Sequence, residues 1–256
     1  MSLFLPPGQC CAHGYFQTGQ PLGQYQEIGE LDTYVVGDSD NVIVILTDVH
    51  GHKFNNTLLV ADELASHGYK VLVPDILNGD PIEWGGDLSK WLINHTPEIT
   101  SPIISNFLQK IQLELKPSNV FGIGYCFGAR FILENLMNET ANGKKLLSAG
   151  AIAHPAFIDK EQISKLQNTW LLLSLAETDP YHPPHLRVET EEELKKLAQE
   201  QNVVYEVTIF SQCEHGYALR GDIRKPAVRY AKNKTILDQV HFFKSFEEEM
   251  NYNSQI

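Results

Sequence analysis

Short apolar runs alternate along the chain with longer stretches in which apolar residues recur at helical spacing. The run at residues 42–47 is continuous and β-branched, which is typical of a strand covered on both faces. Similar runs predict strands at 71–73, 119–124, 149–153, 170–175 and 203–210. Helical spacing predicts helices at 58–67, 99–115, 127–138, 189–199 and 236–249. Because strands joined by helices of this length need right-handed crossovers, we predict an α/β fold with a mainly parallel central sheet and helices on both of its faces.

The length of the chain sets its domain organisation. With 256 residues, 43% of them apolar, the chain is long enough for one large core, so a single domain over 1–256 is predicted. Residues 1–30 carry glycines and prolines without periodicity and are predicted to be an irregular lead-in. Residues 78–98 are a second irregular stretch that follows a predicted strand. Ligands bind beyond the carboxyl ends of parallel strands, so 78–98 is either an active-site rim or an ordinary surface loop.

Charge and cysteine content exclude several functions. The chain has 20 basic and 32 acidic residues, a formal net charge of −12, which disfavours a nucleic-acid partner. The four cysteines are too few for a disulfide scaffold and favour a reducing compartment. The first residues lack the basic region of a secretory signal, and no apolar run approaches the ~20 residues that span a bilayer. We therefore predict a cytoplasmic protein with no membrane partner, as a monomer or weak homodimer.

The most specific motif is Gly124-Tyr125-Cys126-Phe127-Gly128, which lies between a predicted strand and a predicted helix. This is the Gly-x-nucleophile-x-Gly pattern of a nucleophile elbow, with cysteine in the place where serine is commoner. Glycine is required on both sides because a Cβ would clash within the sharp turn. The turn points the sulfur of Cys126 outward at a helix N-terminus, whose partial positive charge favours the thiolate. A buried structural cysteine at a tight turn is the alternative interpretation.

An elbow of this kind needs an acid and a base later in the chain, in that order. Asp179 follows the strand predicted at 170–175, and His215 follows the strand predicted at 203–210. Both residues therefore lie at the sheet edge of the elbow, and we predict Asp179 as the acid and His215 as the base. The weaker alternatives are Glu177 and Glu214 as the acid, and His182 and His185 as the base.

Two backbone amides are predicted to stabilise an oxyanion. One is the amide of Phe127, directly after the nucleophile, and the other is the amide of Val49 in the loop after the strand at 42–47. Asp48 precedes Val49, and its carboxylate beside the sulfur would hold the thiol neutral, because like charges resist coexisting in a small site. Alternatively, Asp48 caps the following turn. Trp84 and Tyr217 are candidate apolar walls for a substrate.

With the elbow, Asp179 and His215-Gly216-Tyr217 in place, the chain resembles the dienelactone hydrolase (carboxymethylenebutenolidase) family of the α/β-hydrolase superfamily. The resemblance runs from about Cys10 to the last helix and is strongest to the eukaryotic, fungal-type branch. The matching blocks are Leu46-Thr47-Asp48-Val49, Lys53-Phe54-Asn55-Asn56, Val73-Pro74-Asp75-Ile76-Leu77, Ala151-Ile152-Ala153-His154-Pro155 and Arg220-Gly221-Asp222.

The resemblance implies an α/β-hydrolase fold without a separate lid domain and a Cys126–His215–Asp179 triad. It also implies the amides of Val49 and Phe127 as the oxyanion hole. Two positions depart from the bacterial pattern: a glutamate is replaced by Asp48, and a substrate-binding arginine is missing near Gly79. Arg220 is the remaining candidate for binding a substrate carboxylate.

We therefore expect a hydrolase that cleaves a small ester or lactone through an acyl-enzyme, without cofactor or metal. Thioesters, enol lactones and small aryl esters all fit as substrates. One alternative is a non-catalytic member of the fold that binds a small molecule. Another is a redox or metal function that uses Cys10, Cys11 and His13, or Cys213, although three clustered ligands are a weak metal signal.

Overall fold

A twisted eight-stranded sheet runs through the structure, a computed structural model that describes residues 12–253. The strand order is β1-β2-β4-β3-β5-β6-β7-β8, and every pair from β4 to β8 is parallel. The strands are β1 (Gln24–Ile28), β2 (Leu31–Val36), β3 (Asn41–Leu46), β4 (Lys70–Pro74), β5 (Asn119–Tyr125), β6 (Ala149–Ala153), β7 (Trp170–Thr178) and β8 (Val204–Glu214).

Helices cover both faces of the sheet, as predicted. They are α1 (Asn55–Ser66), α2 (Leu88–Trp91), α3 (Pro97–Glu114), α4 (Ala129–Asn135), α5 (Lys160–Ser164), α6 (Pro184–Glu200), α7 (Tyr217–Arg220) and α8 (Pro226–Asn253). Alternate residues of one strand enter two separate cores: Val44 packs on the side of α3 and α4, and Ile43 packs on the side of α1 and α8. This alternation buries β3 on both faces, which explains its continuous apolar run.

The first strand corrects the last part of the irregular segment predicted over 1–30, of which residues 1–11 lie outside the described residues. β1 and β2 form an antiparallel hairpin, and β2 pairs with β4 in antiparallel register. β1 lies at the sheet edge with four of its five residues exposed, so its sequence carries no apolar pattern. The strand forms because its backbone pairs with β2 and not because its side chains are buried.

The carboxyl ends of the parallel strands meet at one edge and position the predicted site. Asp48 lies two residues beyond the end of β3. Cys126 and His154 directly follow β5 and β6, while Asp179 and His215 directly follow β7 and β8. Parallel strands therefore bring together five residues that are far apart in sequence. Within residues 12–253, no helix combines the length and apolarity that a membrane span requires.

Candidate active site

The segment that carries Cys126 has the geometry of a strained elbow. Cys126 has a φ of +50°, a conformation that L-residues other than glycine rarely adopt. A Cβ added to Gly124 would lie 2.6 Å from the Cα of Ala129, and one added to Gly128 would lie 2.1 Å from the carbonyl oxygen of Leu46. Both glycines are therefore needed for the turn to pack between β5, α4 and the end of β3.

His215 connects the sulfur of Cys126 to a carboxylate. Its Nε2 lies 3.1 Å from Sγ of Cys126, and its Nδ1 lies 3.0 and 2.9 Å from the two carboxylate oxygens of Asp179. The backbone amide of Tyr181 donates to Asp179 Oδ1 at 2.9 Å and so orients the carboxylate. The side chains of His215 and Asp179 are 0% and 1% exposed, which strengthens their interaction. This arrangement can accept the thiol proton on an imidazole whose charge is then balanced by Asp179.

The alternative acids and bases lie elsewhere. The carboxylate of Glu177 accepts a hydrogen bond from the amide of Gln212 at 2.8 Å, which ties β7 to β8. Glu214 and His185 are exposed. His182 is buried, and burial lowers the pKa of its imidazole to about 4. The charge of Asp179 raises this pKa by a smaller amount, and the charge of Arg187 lowers it further. The carboxylate of Asp179, by contrast, lies within hydrogen-bonding distance of His215 Nδ1.

Asp48 and Arg220, predicted to act separately, form a buried ion pair. Arg220 Nε donates to Asp48 Oδ2 at 2.8 Å, and the two side chains are 1% and 0% exposed. The other carboxylate oxygen of Asp48 accepts the amide of His50 at 3.0 Å. Arg220 also donates to the carbonyl oxygen of His13 at 2.9 Å. Each charge therefore compensates the other, as a buried charge requires.

The two predicted oxyanion donors lie in different segments, Val49 in the loop after β3 and Phe127 in the elbow after β5. Val49 follows Asp48 and is fully buried, and its carbonyl oxygen accepts the amide of Ile82 from the 78–98 segment. Phe127 is the second residue of the 3₁₀ turn 126–128. Amides in a first helical turn have no acceptor within their own helix, so they are suited to binding an anion.

Comparison with known proteins identifies the family. The sequence model of the Dienelactone hydrolase family matches residues 31–247. The chain belongs to the dienelactone hydrolase family. A hydrolase of Aspergillus violaceofuscus, pyvD, is 32% identical over 94% of this chain and 98% of its own length. The human carboxymethylenebutenolidase homolog is 25% identical over 78% of this chain and 80% of its own length.

Solved structures show the same fold. The putative dienelactone hydrolase of Klebsiella pneumoniae superimposes with a TM-score of 0.70 over 87% of this chain and 98% of that one, at 13% identity. As a dienelactone hydrolase family member, the protein is an ester or lactone hydrolase. Its α/β-hydrolase fold agrees with the prediction.

Two aromatic residues predicted as substrate walls of this family member lie in different environments. Trp84 is 40% exposed and lies 4.9 Å from the ring of His50, so the 78–98 segment does reach the loop that carries Asp48. Tyr217 is 2% exposed, and its hydroxyl bonds Thr235 of α8 at 2.8 Å. Tyr217 therefore binds the core through its hydroxyl, and it also lines the cavity that adjoins His215.

A cavity of about 320 Å³ lies beside His215. Its wall combines the N-terminal residues His13 and Tyr15 with Arg220 and Lys225. The contribution of the N-terminal segment was missed because that segment has no motif and no periodicity, and only the folded chain brings it next to Arg220.

His154 is a second feature that sequence reasoning did not resolve. Its ring is fully buried, 5.2 Å from the ring of His215 and 5.6 Å from that of Tyr217. Neither ring nitrogen has a hydrogen-bond partner among residues 12–253. Burial and, to a smaller extent, the charges of His215 and Arg220 hold the pKa of His154 well below 6.5, so its imidazole is neutral.

The structure gives no support to the alternative of a redox or metal function within residues 12–253. Cys10 and Cys11 lie outside the described residues. Burial, aided by the charge of Glu177, raises the pKa of the Cys213 thiol to about 11, so this thiol is protonated at neutral pH. Within residues 12–253 no group of three or more His, Cys, Asp or Glu side chains could hold a metal ion.

Proposed function

We propose that the protein hydrolyses a small ester or lactone with Cys126 as nucleophile, His215 as general base and Asp179 as the residue that orients His215. The observation that carries this proposal is the contact between His215 Nε2 and Cys126 Sγ at 3.1 Å, with Nδ1 of the same ring held by both oxygens of Asp179. The N–H at Nδ1 donates to both oxygens of one carboxylate, which fixes the ring so that it presents its second nitrogen to the sulfur.

In the first half of the reaction, His215 Nε2 takes the proton from Sγ as the thiolate attacks the carbonyl carbon. The carbonyl oxygen becomes an oxyanion, which the amides of Val49 and Phe127 stabilise; one such donor is typically worth about 3 kcal/mol in the transition state. Collapse of the tetrahedral intermediate breaks the carbon–oxygen bond of the ester. The departing alkoxide receives the proton from His215, and a thioester remains on Cys126.

In the second half, His215 takes a proton from water as the water oxygen attacks the thioester carbon. The second tetrahedral intermediate expels the thiolate of Cys126, which takes the proton back from His215, and the carboxylic acid product is released. Asp179 balances the charge on His215 in both halves, which matters because the side chains are excluded from water.

The Asp48–Arg220 pair favours a neutral substrate group. Since the two buried charges cancel, the site does not require an anionic ester for electrical balance. Recognition of a substrate carboxylate by Arg220 would require the guanidinium to be shared with Asp48. The further proposal that Asp48 keeps the thiol neutral is tested by Asp48→Asn, which should speed the alkylation of Cys126.

The function is tested with p-nitrophenyl acetate and an enol lactone, comparing wild type with Cys126→Ala. Loss of hydrolysis with retained folding supports the mechanism, and trapping a thioester by mass spectrometry identifies the intermediate. Equal rates for the two proteins would overturn the proposal. In that case, slow labelling of Cys126 by iodoacetamide would indicate a non-catalytic, ligand-binding member of the fold.

A further inference from the structure

The N-terminal segment 12–22, here called the strap, lies outside the part of the chain that matches the family, residues 31–247. Buried Asn56 of α1 holds it: Oδ1 accepts the amide of Gln17 at 2.8 Å, and Nδ2 donates to the carbonyl oxygen of Tyr15 at 2.7 Å. The same Nδ2 lies 2.8 Å from the carbonyl oxygen of Leu219. One side chain therefore joins the strap to the segment that carries Arg220.

The strap is packed against the site and not merely laid over the surface. The amide of Tyr15 donates to the carbonyl oxygen of Arg220 at 2.9 Å, and a Cβ on Gly14 would lie 2.5 Å from the Cβ of Arg220. Further along, the carbonyl oxygen of Ala12 accepts the amide of Gly85 at 2.8 Å. These bonds fix the strap between Arg220 and the 78–98 segment, independently of any contact made by Phe16.

Phe16 extends an aromatic row that starts beside the proposed oxyanion hole. His50, which follows Val49, lies 4.9 Å from Trp84 at an interplanar angle of 31°. Trp84 lies 4.6 Å from Phe16 at 33°. The ring of Phe54 packs beside the row, with its centroid 5.7 Å from that of Phe16 and 5.2 Å from that of His50. The row is progressively open to solvent: His50 is 9%, Trp84 40% and Phe16 66% exposed.

We propose that this aromatic row, His50, Trp84 and Phe16, is a subsite for a planar apolar group, an aromatic ring or conjugated chain, of the ester or lactone. The inference rests on the proposed function, since it places the subsite next to the amide that binds the carbonyl oxygen. Exposed aromatic rings that lie together are suited to recognition, because stacking on them adds to the gain from burial. Phe16 acts here as a specificity-determining residue that the strap adds to the family core.

The test compares two substrates with the same p-nitrophenolate leaving group, p-nitrophenyl benzoate and p-nitrophenyl acetate. Phe16→Ala should lower kcat/KM for the benzoate about fivefold and leave kcat/KM for the acetate within twofold. Phe16→Trp, which keeps an aromatic face, should retain the wild-type kcat/KM for the benzoate. Because 66% of Phe16 is exposed, truncating it should not unfold the protein.

Tyr252→Ala is the matched control, since Tyr252 is 63% exposed and lies near the end of α8. Tyr252→Ala should leave kcat/KM unchanged for both substrates. If Phe16→Ala lowered kcat/KM equally for the benzoate and the acetate, or for neither, the proposed subsite would be ruled out. Failure of the proposed function is distinguishable, because then Cys126→Ala would hydrolyse both substrates as fast as wild type.

Discussion

Two histidines at the same sheet edge bind carboxylates, and only His215 of these two faces a cysteine sulfur. His215 has Asp179 on Nδ1 and the sulfur of Cys126 on Nε2. His52, four residues after Asp48, has Asp32 at 3.1 Å from Nε2 and Asp75 at 3.4 Å from Nδ1.

The two clusters differ in which nitrogen is left for chemistry. In the His52 cluster each ring nitrogen faces a carboxylate, so a proton on either nitrogen is hydrogen-bonded to Asp32 or Asp75 and neither nitrogen faces a reactive group. The cluster joins β2, β4 and the loop after β3, and Lys53 adds a further ion pair to Asp32 at 2.8 Å. The side chain of Asp32 is 44% exposed, whereas that of Asp179 is 1% exposed. A histidine–carboxylate pair therefore indicates function only when its second nitrogen meets a reactive group.

The largest expected difference between the clusters is in catalysis. Asp179→Asn should lower kcat for p-nitrophenyl acetate about 10³–10⁴-fold, because the amide no longer holds the tautomer and charge of His215. Asp75→Asn, the matched change in the other cluster, should alter kcat less than about twofold. Similar losses in the two variants would show that the clusters are not functionally distinct.

The next effect is on stability. His52→Phe should lower the free energy of unfolding by about 1–3 kcal/mol, since it removes hydrogen bonds to charged groups and leaves two carboxylates close together. Urea unfolding followed by circular dichroism measures this, with kcat of the folded variant staying near that of wild type. A large loss of kcat without a loss of stability would assign His52 to the active site.

A third histidine at this edge, His154, sharpens the comparison because neither of its nitrogens is bonded within the described residues. His154→Phe keeps an aromatic ring against His215 and removes two unpaired polar atoms. We expect it to stabilise the fold by about 1 kcal/mol, a rise in Tm of about 2–4 °C. His154→Ala, which leaves a cavity, should lower Tm; a lower Tm for His154→Phe would show that the imidazole is needed for stability.

The smallest expected effect is a change in acid stability. Burial would raise the pKa of Asp75, but the hydrogen bond and charge of His52 outweigh it and hold this pKa below 3.8. The carboxylate thus binds fewer protons in the folded state, so its stabilisation is present above the unfolded pKa and is lost as pH falls through the folded value. The stability difference between wild type and Asp75→Asn should therefore narrow below about pH 4. A constant difference would contradict this linkage.

The sequence predicted the central strands and the chain order of the site with little error. Cys126, Asp179 and His215 each directly follow a strand, and the strand pattern identified all three strands. Boundaries were less accurate: β7 continues to Thr178 and β8 to Glu214, beyond the predicted ends at 175 and 210. Both extensions contain exposed polar residues, which pair through the backbone and carry no apolar signal.

The elements that were missed depend on contacts between distant segments. β1 is an exposed edge strand, and the strap is held by bonds to distant residues, among them the buried side chain of Asn56 and the backbone of Arg220. The pairing of Asp48 with Arg220 spans 172 positions, and nothing near either residue indicates it. Tyr217 lies two residues after His215 in the sequence, yet its hydroxyl contacts Thr235 in the core.

The sequence by itself determined the α/β fold, the elbow at Cys126 and the positions of Asp179 and His215 after their strands, because local spacing and glycine sterics control these features. Only the tertiary structure decided which charges compensate each other and which aromatic rings meet. Ion pairing and ring stacking depend on distances between segments that are separate in the chain, and those distances exist only once the sheet edge has assembled.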